Sequence, residues 1–184
     1  MHHKTHSSTK HMVLIGLSSA LLCVLSPFSI TLPLSPVPFT LGTLAVYMTT
    51  YILGLKKGLC SFLLYLLLGF VGLPVFAGFT SGPGRILGPT GGYLLGEILL
   101  ILILGFLLDS FKYKQPIFLC GLLLGTLVCY LFGSLWLSHV NRISFTASIS
   151  IGVIPYLPLD ALKIAFAFLS APQIRARLSR AKLL

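Results

Sequence analysis

The chain has 184 residues, 56% hydrophobic and only 9% charged, with a net charge of +10 and a mean hydropathy of +1.00. Soluble domains carry about 25% charged residues, so the composition excludes a soluble globule and leaves one polytopic membrane bundle. Nucleic acid is excluded as a partner despite the charge, because the basic residues lie between apolar runs and at the ends, with no basic stripe on a polar face.

Residues 1–11 hold His2, His3, His6 and His11. They read as a disordered cytoplasmic head without metal-ligand spacing. Cys23, Cys60, Cys120 and Cys129 all lie within apolar runs, so they read as small hydrophobes rather than disulfide partners or zinc ligands. No metal site and no cofactor is expected. The apolar run Met12–Ile30 is longer than a signal-peptide core and reads as the first transmembrane helix. Its small residues Gly16 and Ala20, four apart, suit close helix packing. That packing lies either inside the chain or against a partner membrane protein.

Pro33, Pro36 and Pro38 forbid a helix over Thr31–Thr40, which is expected to be an extended loop. Leu41–Leu55 and Gly58–Leu73 are the second and third apolar runs. Each is shorter than the ~20 residues that cross the hydrocarbon comfortably, and Lys56-Lys57 form a charged turn between them. Pro74–Pro89 is a glycine-rich loop. A fourth helix is expected from Gly91 to Leu108, a fifth from Pro116 to Leu137, and a sixth from Pro158 to Ala171. The fold class is therefore all-α, with six transmembrane helices in one bundle. Six crossings place ten lysines and arginines on the side of the termini, against Arg85 and Arg142 on the other. This bias puts both termini in the cytoplasm. The proline loop, the glycine loop and the 5–6 connection then share the outer face.

The stretch Arg85–Gly96 supplies a candidate anion site. Pro89 fixes the chain, Thr90 is a good N-cap, and Gly91 and Gly92 permit close approach of a backbone or ligand. A helix starting there directs free N–H groups and a positive dipole end outward. The chain has only three acids. Asp109 reads as a solvated interface residue. Asp160 and Lys163 are three apart at the start of the last helix, on one face. They are either a self-neutralising ion pair that permits insertion or a polar clamp for a ligand offering both N–H and C=O. Glu97 follows Tyr93 by one turn. A Tyr–Glu hydrogen bond or an interfacial carboxyl is preferred over a proton-coupling site. Phe76, Phe79, Tyr93 and Tyr156 are aromatic candidates for covering an apolar ligand. Catalytic motifs are absent, and Gly84–Gly92 lacks the lysine and hydroxyl of a phosphate-binding loop. Any dependence on ATP needs partner subunits.

Four blocks carry a family resemblance: Gly88-Pro89-Thr90-Gly91-Gly92-Tyr93-Leu94-Leu95-Gly96, Pro36-Val37-Pro38-Phe39-Thr40-Leu41, Gly72-Leu73-Pro74-Val75-Phe76-Ala77-Gly78, and Pro155-Tyr156-Leu157-Pro158-Leu159-Asp160-Ala161-Leu162-Lys163. In this order they resemble the BioY family, the biotin-binding S-components of energy-coupling factor (ECF) transporters. The resemblance implies a membrane domain over 12–184 that captures biotin outside the cell. It implies that Asp160 and Lys163 contact the biotin ring, and that an ECF transmembrane coupling subunit and two ABC-type ATPases drive delivery inward. The implied location is the bacterial cytoplasmic membrane. The biotin carboxylate is assigned to the start of helix four, at Thr90, Gly91 and Gly92 with Arg85 nearby. Three positions depart from the family pattern: Gly42 where members commonly have Gln, Glu97 where they have an aromatic, and Gly16/Ala20 in place of paired alanines. A solitary carrier coupled through Glu97, or a membrane enzyme using Asp160 and Lys163, are the alternative functions.

Overall fold

The computed structural model describes residues 3–31, 37–181 and 183–184. Helix α1 spans His3–Leu25, so the helix begins within the polar head. Strand β1 (Ser29–Thr31) pairs antiparallel with β2 (Pro38–Thr40). The extended loop expected there is thus partly a two-stranded ribbon; Pro33 and Pro36 lie outside the described residues. Pro38 ends the register opposite Thr31, where its missing N–H costs least.

Helix α2 (Gly42–Val71) covers both the second and third apolar runs. It is interrupted at Gly54, whose backbone (φ 79°, ψ −179°) is open essentially to glycine alone. The chain folds back there. A Cβ added to Gly58 would lie 3.2 Å from the Cα of Thr50, whereas eight residues of straight helix span about 12 Å. The two arms therefore form a hairpin with Lys56 and Lys57 at its tip. Each side of the break is satisfied by side chains from elsewhere. Arg175 donates to the carbonyls of Tyr51 and Ile52, and Asp109 accepts from the Leu55 N–H at 3.2 Å. Tyr113 binds Asp109 at 3.0 Å, and the Arg175 guanidinium lies 3.7 Å from the Tyr113 ring centroid. Asp109, expected from sequence to be a solvated interface residue, is exposed and also caps the returning arm. Burial is the main reason that the Tyr113 hydroxyl is pushed up to about 12.

The glycine loop contains the short helix α3 (Pro83–Leu87) and leads into α4 (Gly91–Ser110). Helix α5 (Gln115–Asn141) starts on Pro116, well placed in a first turn. Helix α6 (Phe145–Gly152) is capped by the Ser144 hydroxyl, which accepts from the Ala147 N–H at 3.2 Å. A short 3-10 turn (Ile154–Tyr156) then leads into α7 (Leu157–Arg180), which continues through Pro172.

Helices α4 and α5 pack antiparallel with glycines facing large residues. Gly92 faces Trp136, Gly133 faces Tyr93, Gly96 faces Cys129, Gly125 faces Leu100 and Gly121 faces Leu104. Small residues let the backbones close up where lipid provides no hydrophobic drive. The core beneath is apolar, with Leu100, Leu104, Leu108, Phe118 and Leu122 wholly buried. Four helices among the described residues are long and apolar enough to cross a membrane: α2, α4, α5 and the α6–α7 region. A shorter apolar helix, Thr9–Leu25, joins them. The expected helical bundle is present. The expected separation of helices two and three takes the form of one helix broken at Gly54. On α1, Ser19 and Leu22 are buried while Gly16 and Ala20 are exposed, and nothing lies within 4 Å of a Cβ built on Gly16. Among the described residues the small-residue stripe is thus not used for packing.

Candidate ligand site

One cavity lies among α2, α4, α5 and α7, under the ribbon and the glycine loop. It encloses about 890 Å³ of empty space, counted with its open mouth. Both Thr43 and Tyr65 line it. They stand 22 positions apart on α2, so only the fold-back at Gly54 brings them to one wall.

Asp160 and Lys163 sit side by side in this cavity, both buried. Pro158 starts the helix, so Asp160 falls in its first turn, where the dipole favours a carboxylate. The Lys163 Nζ donates to Asp160 Oδ1 at 2.7 Å. Its ammonium also lies 3.8 Å from the centroid of the Phe39 ring, on β2. Asp160 Oδ2 accepts from the Tyr130 hydroxyl of α5 at 2.5 Å. Each carboxylate oxygen therefore has one protein donor and keeps one lone-pair direction for a ligand.

Glu97 lies on the α4 wall of the same cavity and is buried. Its partner is Thr43 on α2, whose hydroxyl donates to Glu97 Oε1 at 2.8 Å. The hydrogen bond to Tyr93 expected from the one-turn spacing is not formed. Tyr93 instead pairs with Ser134 Oγ at 3.2 Å, drawn across by the α4–α5 packing. Deeper in the wall, the Thr126 hydroxyl donates to the Leu122 carbonyl at 2.7 Å. Tyr47 is therefore the donor in its 2.6 Å bond to Thr126. Tyr156 donates to the Val37 carbonyl, tying the last helix to the ribbon.

Arg85 lines the mouth from α3. Among the described residues it has no carboxylate within ion-pair distance. Partial burial lowers the pKa of its guanidinium from the ordinary value. Thr90, Tyr93 and Phe76 also line the cavity, whereas Gly91, Gly92 and Phe79 do not. Thr90 is the residue before α4, but its side chain makes no cap bond. Gly91 abuts the Ile86 carbonyl and Gly92 abuts Trp136, so side chains there would overlap their neighbours. The Trp136 indole N–H donates to the Gly88 carbonyl at 2.9 Å, holding the loop in place. Phe79 is exposed, in the left-handed region (φ 57°), and packs edge-on against Phe28.

Of the nine residues expected to meet the ligand, the fold brings Asp160, Lys163, Arg85, Thr90, Tyr93 and Phe76 to this cavity and leaves Gly91, Gly92 and Phe79 outside its lining. The sequence reading did not include every lining residue. It missed Tyr130, Thr43, Phe39, Tyr47 and Tyr65. One signal was available for Tyr130 and Tyr47: a tyrosine within a membrane helix needs a partner for its hydroxyl. The identity of that partner was not readable.

Comparison with known proteins places the chain among relatives. The BioY family pattern matches residues 1–180. The biotin transporter BioY2 of Lactococcus lactis is 37% identical over 153 residues, covering 83% of this chain and 82% of that protein. The probable biotin transporter BioY of Pyrococcus horikoshii is 36% identical over 166 residues, covering 90% and 96%. A crystal structure of the S-component for biotin from an ECF-type ABC transporter superposes with a TM-score of 0.86 at 27% identity, covering 93% of each chain. With the family pattern matched over residues 1–180 and relatives more than a third identical over most of their own length, the chain belongs to the BioY family.

Proposed function

We propose that this chain captures biotin outside the cell and delivers it inward as the substrate-binding subunit of an ECF transporter. The observation that carries the reading is the Asp160–Lys163 pair, set 2.7 Å apart inside a cavity that also holds Arg85. A cyclic urea offers N–H donors to Asp160 and a carbonyl to Lys163. The valerate carboxylate then meets Arg85 and Thr90, with Gly91 and Gly92 acting through the close packing that positions α4. Phe76 and Tyr93 cover the apolar part of the ligand, and Phe79 reaches it only from the mouth.

The chain crosses the membrane six times in this reading, the two arms of α2 counting separately. Both termini, including the head over 1–11, are cytoplasmic. The bias of lysine and arginine toward that side supports this orientation. The chain has no phosphate-binding loop, so work against a gradient comes from a transmembrane coupling subunit and two ABC-type ATPases. The exposed Gly16/Ala20 face of α1 is the docking surface for the coupling subunit. Biotin titration of the purified chain in lipid nanodiscs tests the binding step. Uptake of labelled biotin by cells with and without coupling subunits tests the coupling. A chain that binds no biotin overturns the assignment. Full uptake without coupling subunits overturns the ECF part.

A further inference from the structure

The geometry points to Glu97 as a specificity-determining residue that accepts a hydrogen bond from the ureido N–H not held by Asp160. This inference rests on the biotin reading above. In a five-membered cyclic urea the two N–H bonds diverge on either side of the carbonyl, so no single carboxylate reaches both. Recognition of the whole edge needs two acceptors from different walls with a donor between them. The cavity offers that set. Asp160 stands on α7, Glu97 stands on α4, and the Lys163 ammonium is the donor. All three line the same cavity.

Glu97 is also incompletely used by the protein. Oε1 accepts from Thr43, but among the described residues Oε2 has no hydrogen-bond partner, although the side chain is over nine-tenths buried. Oε2 is not among the side-chain atoms sealed from solvent without a partner, so it opens on the cavity. A bound ligand shuts water out of the site, so its N–H must meet Oε2, and an analogue lacking that N–H leaves a costly unmet oxygen. Discrimination follows from leaving Oε2 unmet. Lys163 pairs with Asp160 and lies over the Phe39 ring, and among the described residues no lysine or arginine forms an ion pair with Glu97. Glu97 is thus free to answer to the ligand rather than to a fixed counter-ion.

The test uses the full chain in nanodiscs and two biotin analogues, each methylated at one ureido nitrogen. Glu97→Leu is expected to weaken biotin binding by about 10- to 100-fold, the worth of a hydrogen bond to a charged group. Glu97→Gln, which keeps an acceptor oxygen, stays within about fivefold of wild type. Methylation at one nitrogen is expected to cost the wild type as much as Glu97→Leu does, and to cost the Glu97→Leu variant nothing more. Methylation at the other nitrogen stays costly in that variant. A merely structural role for Glu97 would give the same loss for both analogues in both proteins. Glu97→Met carries the same comparison where the leucine variant does not fold. Apolar variants that bind biotin within twofold of wild type overturn the inference while leaving the biotin reading intact. So do methylation costs that add fully at both nitrogens. A wild-type chain that binds no biotin overturns both.

Discussion

Replacing both members of the Asp160–Lys163 pair separates a structural ion pair from a ligand clamp. In Asp160→Leu the Lys163 ammonium keeps only the Phe39 ring, 3.8 Å from its centroid, and Tyr130 loses its acceptor. Breaking a buried pair by removing one partner costs about 3–5 kcal/mol, because the remaining charge stays buried. The double variant Asp160→Leu/Lys163→Met removes that stranded charge. Such replacements are often neutral or stabilising. Here the Tyr130 hydroxyl remains unmet, at about 1–3 kcal/mol. That loss is common to the single and the double variant and cancels, so the double variant is expected to be more stable than the single one by about 3–5 kcal/mol. It is nonetheless expected to lose biotin binding, since acceptor and donor are both gone. Thermal unfolding in detergent reports the first quantity and equilibrium biotin titration the second. A double variant that binds biotin at wild-type affinity would refute the clamp and leave only an insertion device. A single variant as stable as the double would refute the claim that the pair is buried and mutually dependent.

Three further outcomes follow from the contacts. Tyr130→Phe loses a bond to a charged carboxylate, so stability is expected to fall by about 1.5–3 kcal/mol, read by thermal unfolding, and biotin affinity is expected to fall with the loosened Asp160, read by titration. Arg175→Ala uncaps the Tyr51 and Ile52 carbonyls and removes the contact with Tyr113. It should cost about 1.5–3 kcal/mol of stability and leave biotin affinity within about twofold, because the cluster does not line the cavity. Gly54→Ala is expected to lower stability by at least about 1–3 kcal/mol, since its backbone region is closed to other residues and Asp109 lies against it. A Gly54→Ala protein that unfolds like wild type would show that the hairpin does not need this conformation.

Composition and apolar run length were enough to establish a helical membrane protein, because lipid leaves the backbone few other ways to satisfy its polar groups. Charge was legible for the same reason. With three acids in 184 residues, the pair at Asp160 and Lys163 stood out as ionisable groups that a membrane helix carries only for a reason. The glycines of Gly91–Gly96 also announced close packing, and the contacts with Trp136 and Cys129 are of that kind. Partners distant in sequence were not legible. The assignment of Tyr93 to Glu97 rested on helical spacing, which orders residues along one helix but says nothing about a neighbouring helix. Packing of α4 on α5 gave Tyr93 to Ser134, and the return of α2 gave Glu97 to Thr43, 54 positions away. Tyr130 reached Asp160 in the same way.

The amino-acid sequence by itself determined the solvent this chain lives in, its helical class and the charged pair at the start of its last helix. Each follows from transfer costs that a residue pays wherever the rest of the chain goes. The tertiary structure alone decided that Gly54 folds α2 back on itself, that Asp109 and Arg175 cap the break, and that Glu97, Tyr130, Phe39 and Arg85 surround the same cavity as Asp160 and Lys163. These are long-range contacts, chosen by which helix faces fit together.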